Sequence, residues 1–133
     1  MTENYVTFQI AEHLKGLGFD AQCRAFYKKW NGIITLFDCD KSQMLDYCNN
    51  TTLAVYTDDE GELNIAAPTV QMANKFIRER YNIFIQVELY SKNGDFTYEI
   101  FKNTKRMDIK RKVFPTPEEA NLDALLVCLT NLI

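Results

Sequence analysis

The residues best suited to chemistry in this chain of 133 are one histidine, His13, and four cysteines, Cys23, Cys39, Cys48 and Cys128. A zinc site needs several such ligands at close, regular spacing, and the nearest pair here, Cys39 and Cys48, has eight residues between its members. No Cys-x-x-Cys occurs, so the spacing predicts neither a metal site nor a bound cofactor. A cysteine nucleophile would need a base. Cys23 follows His13 by ten residues and would meet it across a contact between a first helix and a hairpin. The competing reading makes Cys23 a small apolar core residue at a strand start and His13, beside Glu12, part of a helix surface. The acids Asp38, Asp40, Asp58, Asp59, Glu60 and Glu62 offer hard oxygens for calcium or magnesium, but they match no EF-hand loop, and turn formation alone accounts for Asp58 to Glu62. No Gly-x-Ser-x-Gly elbow and no glycine-rich phosphate loop is present, and no catalytic residue is assigned.

Charge points elsewhere. The chain carries a net charge of −3, yet residues 102–112 hold six of its 15 basic residues and one of its 18 acids, so this run stands at +5 and the remainder at −8. Lys102, Lys105, Arg106, Lys110, Arg111 and Lys112 are the candidate contacts to nucleic-acid phosphates, with Lys75, Arg78 and Arg80 as further cations and Tyr90, Phe96, Tyr98 and Phe101 as stacking aromatics. Two observations oppose this. The net acidity disfavours a surface built wholly for nucleic acid, and a charged run between a strand and a helix reads equally as a solvated loop.

The elements that must position these residues follow from local signals. Thr7 caps a helix over 7–17 whose apolar face is Phe8, Ala11, Leu14 and Leu17, and Gly18 with Phe19 predicts a Schellman ending. Residues 23–30 and 33–37 alternate in polarity about Asn31-Gly32, a two-residue hairpin turn. Residues 38–51 are polar and broken, which predicts a long loop, and a second strand pair is expected at 52–57 and 62–66 around Asp58 to Gly61. Pro68 and Thr69 open a helix that buries Ala73, Phe76 and Ile77 and stops at Asn82. Ile83, Ile85, Val87 and Leu89 then alternate as a strand, and Asn93-Gly94 turns it into Phe96 to Phe101. Thr116-Pro117-Glu118-Glu119 begins a last helix, reaching about Leu132, whose apolar residues cover more than one face.

The expected order is α-β-β-(β-β)-α-β-β-α. It implies an α+β fold, with antiparallel hairpins in one sheet, helices mainly on one face, and a single domain over 1–133. The hydrophobic fraction of 47% is enough for one core. No window approaches the ~20 apolar residues of a membrane span, and the opening Met-Thr-Glu-Asn lacks a signal-peptide pattern, so the expected setting is cytoplasmic, without membrane association and with reduced thiols.

Leu17-Gly18-Phe19-Asp20 with Cys23 close behind, Asp59 to Leu63, Ala67-Pro68-Thr69, Arg78 to Ile83 and the terminal stretch from Glu119 to Ile133 together resemble a group of small uncharacterised proteins from phages and mobile elements of gut Bacteroides-type bacteria. That group has no assigned activity, so the resemblance implies a context and no site residue. The expectation is a non-enzymatic accessory or regulatory interaction protein that binds a protein partner or a second copy, the apolar last helix being one candidate surface. Nucleic-acid binding through 102–112 is the alternative, and a cysteine-dependent enzyme stands third.

Overall fold

Thr7 opens α1 (Phe8–Gly16) by accepting a hydrogen bond from the Ile10 amide at 3.3 Å, which satisfies one of the free donors at the helix start. The helix ends as a Schellman motif. Gly18 takes a φ of 87°, the Phe19 amide donates to the Leu14 carbonyl at 2.9 Å and the Gly18 amide to Lys15 at 3.0 Å. Ile10, Ala11 and Leu14 form the buried face, with Phe8 and Leu17 half-buried at its margins.

A computed structural model describes residues 4–39, 47–55, 61–110 and 112–133, and in it the chain divides into two compact units, Met1–Thr69 and Val70–Ile133. In the first unit, β1 (Ala25–Trp30) and β2 (Ile33–Asp38) form the expected hairpin, with Asn31 and Gly32 at φ of 52° and 75°. A two-residue turn with both φ positive matches the right-handed twist of the strands it joins.

The expected strand at 52–57 is not formed over its described part. Residues Asn50–Ala54 are a short helix, α2, and 56–57, like the expected turn residues 58–60, lie outside the described residues. The cause is a set of polar side chains that capture backbone groups. Asn49 caps α2 by accepting from the Thr52 amide at 2.8 Å, and Asp20 accepts from both the Thr51 amide and the Thr51 hydroxyl. Asn50 is buried: its amide group donates to the Phe19 carbonyl at 2.8 Å while its oxygen accepts from the Ala66 amide at 2.9 Å. β3 (Leu63–Ala66) therefore pairs with β1, and the sheet order is β2-β1-β3, all antiparallel.

The second unit begins with α3 (Val70–Tyr81), which buries Val70, Ala73 and Ile77 and stops where Asn82 turns to a φ of 53°. β4 (Ile83–Leu89) and β5 (Phe96–Lys102) pair antiparallel from Ile83↔Lys102 to Leu89↔Phe96, closed by the loop Ser91 to Gly94. A third strand, β6 (Lys105–Arg106), arises inside the basic run. Asn103 and Thr104 at φ of 52° and 69° turn the chain back on β5, an arrangement hidden in the sequence because no glycine marks it. α4 (Pro117–Val127) starts on Thr116, which accepts from the Glu119 amide at 3.2 Å, and ends in a π-helical turn over Cys128–Leu132. It packs on β4 and β5, burying Ala120, Ala124, Leu125, Cys128 and Leu129. A reciprocal amide pair, Asn74 with Asn121 at 2.9 and 3.1 Å, ties it to α3.

The fold class is α+β, as the alternation of patterns implied. The strands are shared between two three-stranded antiparallel sheets where one sheet was expected, because β3 joins β1 and β4 to β6 pair among themselves. No helix among the described residues is long and apolar enough to cross a membrane.

Candidate interaction surface

Burial decides the chemistry of the cysteines. Cys23, Cys39, Cys48 and Cys128 are all buried free thiols. Cys23 and Cys48 face each other in an isolated antiparallel bridge, exchanging amide-to-carbonyl bonds of 2.6 and 2.8 Å. Their thiols are taken up by main chain: Cys23 donates to Ala21 at 3.4 Å and Cys48 to Ala25 at 3.3 Å. Burial pushes the Cys23 thiol up to about 12, with the Cys39 sulfur adding to the effect, and holds Cys48 far above its ordinary range. Both changes disfavour the thiolate a nucleophile requires. His13 lies half-buried in the last turn of α1. Among the described residues, no three of His, Cys, Asp or Glu group to hold a metal ion.

The candidate acids form no such group among the described residues either. Asp40, Asp58, Asp59 and Glu60 lie outside the described residues, while Glu62 pairs with Lys28 at 2.9 Å.

The basic run is distributed over several structural duties. Lys102 reaches from β5 to the Leu132 carbonyl at 2.5 Å, where its ammonium caps the end of the π-helical turn. Arg106 pairs with Glu99 at 3.0 Å across β6 and β5, and Lys112 stands 3.8 Å from Asp123 on α4. Asp123 also accepts from the Tyr98 hydroxyl at 2.7 Å. Tyr98 is buried, which, followed by that bond, raises its phenol well above the ordinary range; it is not a stacking platform. Lys105 and Lys110 are exposed, and Arg111 lies outside the described residues. Arg106, Lys110 and Lys112 border a cavity of about 40 Å³ with Glu99, Ile100 and Met107. Of the other proposed cations, Lys75 pairs with Glu79 at 3.8 Å and Arg80 lies over the rings of Phe76 and Tyr81.

The feature sequence reasoning missed is the outer half of the first sheet. Along β2 every residue from Ile33 to Phe37 is exposed, including Ile33 at 66%, Ile34 at 45%, Leu36 at 43% and Phe37 at 39%, and Trp30 at the end of β1 is 51% exposed. The register assigns Trp30, Ile33, Phe26 and Phe37 to one face, the last two stacked at 5.5 Å, and Ile34 and Leu36 to the other. On that second face Tyr27 is held by its hydroxyl bond to the Val6 carbonyl at 2.6 Å and by the edge of Phe8. The alternation of apolar residues was visible, but it is the same for a strand inside a core and for one that nothing covers.

The other sheet edges are guarded. β4 carries Gln86 and Glu88, β6 consists of Lys105 and Arg106, and β3 is engaged at Ala66 by Asn50 of α2. Charges, short strands and covering elements are the usual protections of an edge, and among the described residues Ile33 to Phe37 has none of them. No protein-family model, curated protein or solved structure matches this chain.

Proposed function

We propose that this chain is a non-enzymatic accessory or regulatory interaction protein that docks a protein partner through the hairpin β1–β2. The observation that carries this reading is the continuous apolar exposure of Trp30, Ile33, Ile34, Leu36 and Phe37 on an unguarded edge. Exposed apolar area of this kind is costly in solubility and marks a surface that is covered in use, and a tryptophan at its end is the residue type that most often anchors an interface. The buried, main-chain-bonded thiols argue against the cysteine-enzyme reading. A cytoplasmic setting and the resemblance to phage and mobile-element proteins fit an accessory role. The test is affinity capture from the native host with the wild-type chain and with Trp30→Ala and Ile33→Ser. A partner retained by the wild type and lost from both variants is expected, and a partner set indifferent to the hairpin would overturn the assignment.

A second reading, nucleic-acid binding, rests on the exposed Lys105 and Lys110 and on the small cavity bordered by Arg106, Lys110 and Lys112. It predicts gel retardation of mixed DNA or RNA that falls steeply with salt and is lost in a Lys105→Ala, Lys110→Ala double variant. Absence of retardation at low salt would remove it.

A further inference from the structure

We propose that β2 pairs with β2 of a second copy about a two-fold axis at Thr35, joining two three-stranded sheets into one of six strands. The inference rests on the reading of the hairpin as an interaction surface and names its partner.

The hydrogen-bonding phase of the strand carries the argument. In an antiparallel pair, residues alternate between those that exchange hydrogen bonds with the partner strand and those whose amide and carbonyl point the other way. The Cys39 amide donates to the Arg24 carbonyl at 2.7 Å, which places Arg24 and Cys39 in the bonded phase. The β1–β2 register then puts Phe26↔Phe37, Lys28↔Thr35 and Trp30↔Ile33 in the same phase, as a two-residue turn after Trp30 also requires. It follows that Ile33, Thr35 and Phe37 turn their backbone groups to β1, while Ile34 and Leu36 aim theirs outward from the edge. A second β2 laid antiparallel with Ile34 opposite Leu36 exchanges all four of these outward groups, two amides and two carbonyls, with the same four on the other copy. Gly32 then meets Asp38.

That register also matches the side chains. Ile33 of one copy faces Phe37 of the other on one side of the sheet, Ile34 faces Leu36 on the opposite side, and Thr35 faces Thr35 at the axis. Apolar pairs and threonine pairs of this sort stabilise neighbouring strands, and like charges directly opposite destabilise them. Here no charge lies between Ile33 and Phe37, and the acid at the end of the strand, Asp38, falls opposite glycine and not opposite its own copy. A shift by two residues in either direction loses this match, placing Leu36 against Gly32 or Ile34 against Asp38. The pairing is self-complementary and closes on itself: among the described residues the first sheet has one such edge, because β3 on the far side is engaged by Asn50. A dimer follows, and not a growing filament.

The experiment combines mass and register. In light scattering across micromolar to millimolar protein, the wild type should rise reversibly from one chain of 15.5 kDa toward twice that mass. Ile34→Lys and Leu36→Lys should each remain monomeric with an unchanged circular dichroism spectrum, since both positions are already exposed. With oxidised glutathione, Thr35→Cys should form a covalent dimer because the two positions meet across a non-hydrogen-bonded pair, whose spacing suits a disulfide. Ile33→Cys should not, as it faces Phe37 of the other copy. A wild type that stays monomeric throughout, a dimer indifferent to both lysines, or equal cross-linking of the two cysteine variants would each overturn the pairing. A monomer that still loses a captured partner on Trp30→Ala would leave the hairpin as an interaction surface and remove only the second copy from it.

Discussion

Cys23, Cys48 and Cys128 each lose the water that would stabilise a thiolate, and their thiols are held above the ordinary range for that reason first, Cys23 and Cys128 at about 12. A thiol whose folded value exceeds its unfolded one of ~8.5 adds stability that is whole below the unfolded value and lost as pH climbs toward the folded one. The thermal midpoint should therefore decline progressively as the pH is raised above about 8.5. Alkylation by iodoacetamide tests the same burial. At neutral pH, mass spectrometry should show the native chain unmodified over a period in which denatured chain takes up four adducts, one for each cysteine. Fast modification of any one of them in the native state would mean that its thiol opens to solvent, and would restore the case for a reactive cysteine.

At the level of elements, α2 depends on one side chain. Asn50 is buried and uses both ends of its amide, on the Phe19 carbonyl after α1 and the Ala66 amide at the end of β3. Asn50→Ala deletes both bonds and strands two backbone groups away from water, so a loss of about 2–4 kcal/mol is expected in denaturant unfolding. Asn49→Ala removes only the cap and should cost about 1 kcal/mol. Equal effects would mean that Asn50 serves α2 alone. These residues also show where the sequence ceased to be readable. Asn31-Gly32, Leu17-Gly18-Phe19 and Thr116-Pro117 announce their structures because the groups that satisfy them lie within a few residues. Asn50 and Thr51 look like loop breakers in sequence, and the partners that make an ordered helix of them, Phe19, Asp20 and Ala66, are 16 to 31 residues away. β6 escaped for a different reason: Thr104 takes a φ of 69°, a conformation β-branched residues seldom adopt and no propensity would suggest. The candidate surface was half readable. Its residues and their alternation were plain, but exposure depends on which other elements arrive to cover them.

At the level of the whole molecule, the division into Met1–Thr69 and Val70–Ile133 gives each half its own buried apolar set. Ile10, Leu14 and Ile65 belong to the first; Ile77, Ile100 and Leu125 belong to the second, and all are essentially inaccessible to water. A unit with its own buried set can open in its own cooperative step. The hairpin at β1–β2 belongs to the first unit, where β1 is flanked by β2 and β3. Leu14→Ala should lower local stability in the first unit by about 2–5 kcal/mol, the usual cost of removing a fully buried leucine side chain. Native-state hydrogen exchange should then show faster exchange at Tyr27 and Ile65 with protection at Gln86 and Glu99, a hydrogen-bonded pair of β4 and β5, unchanged. A matched loss of protection in both units would show that they unfold as one body. The distinction bears on the interaction surface, because a first unit that opens by itself would release the apolar edge strand from its sheet while the second unit stays folded.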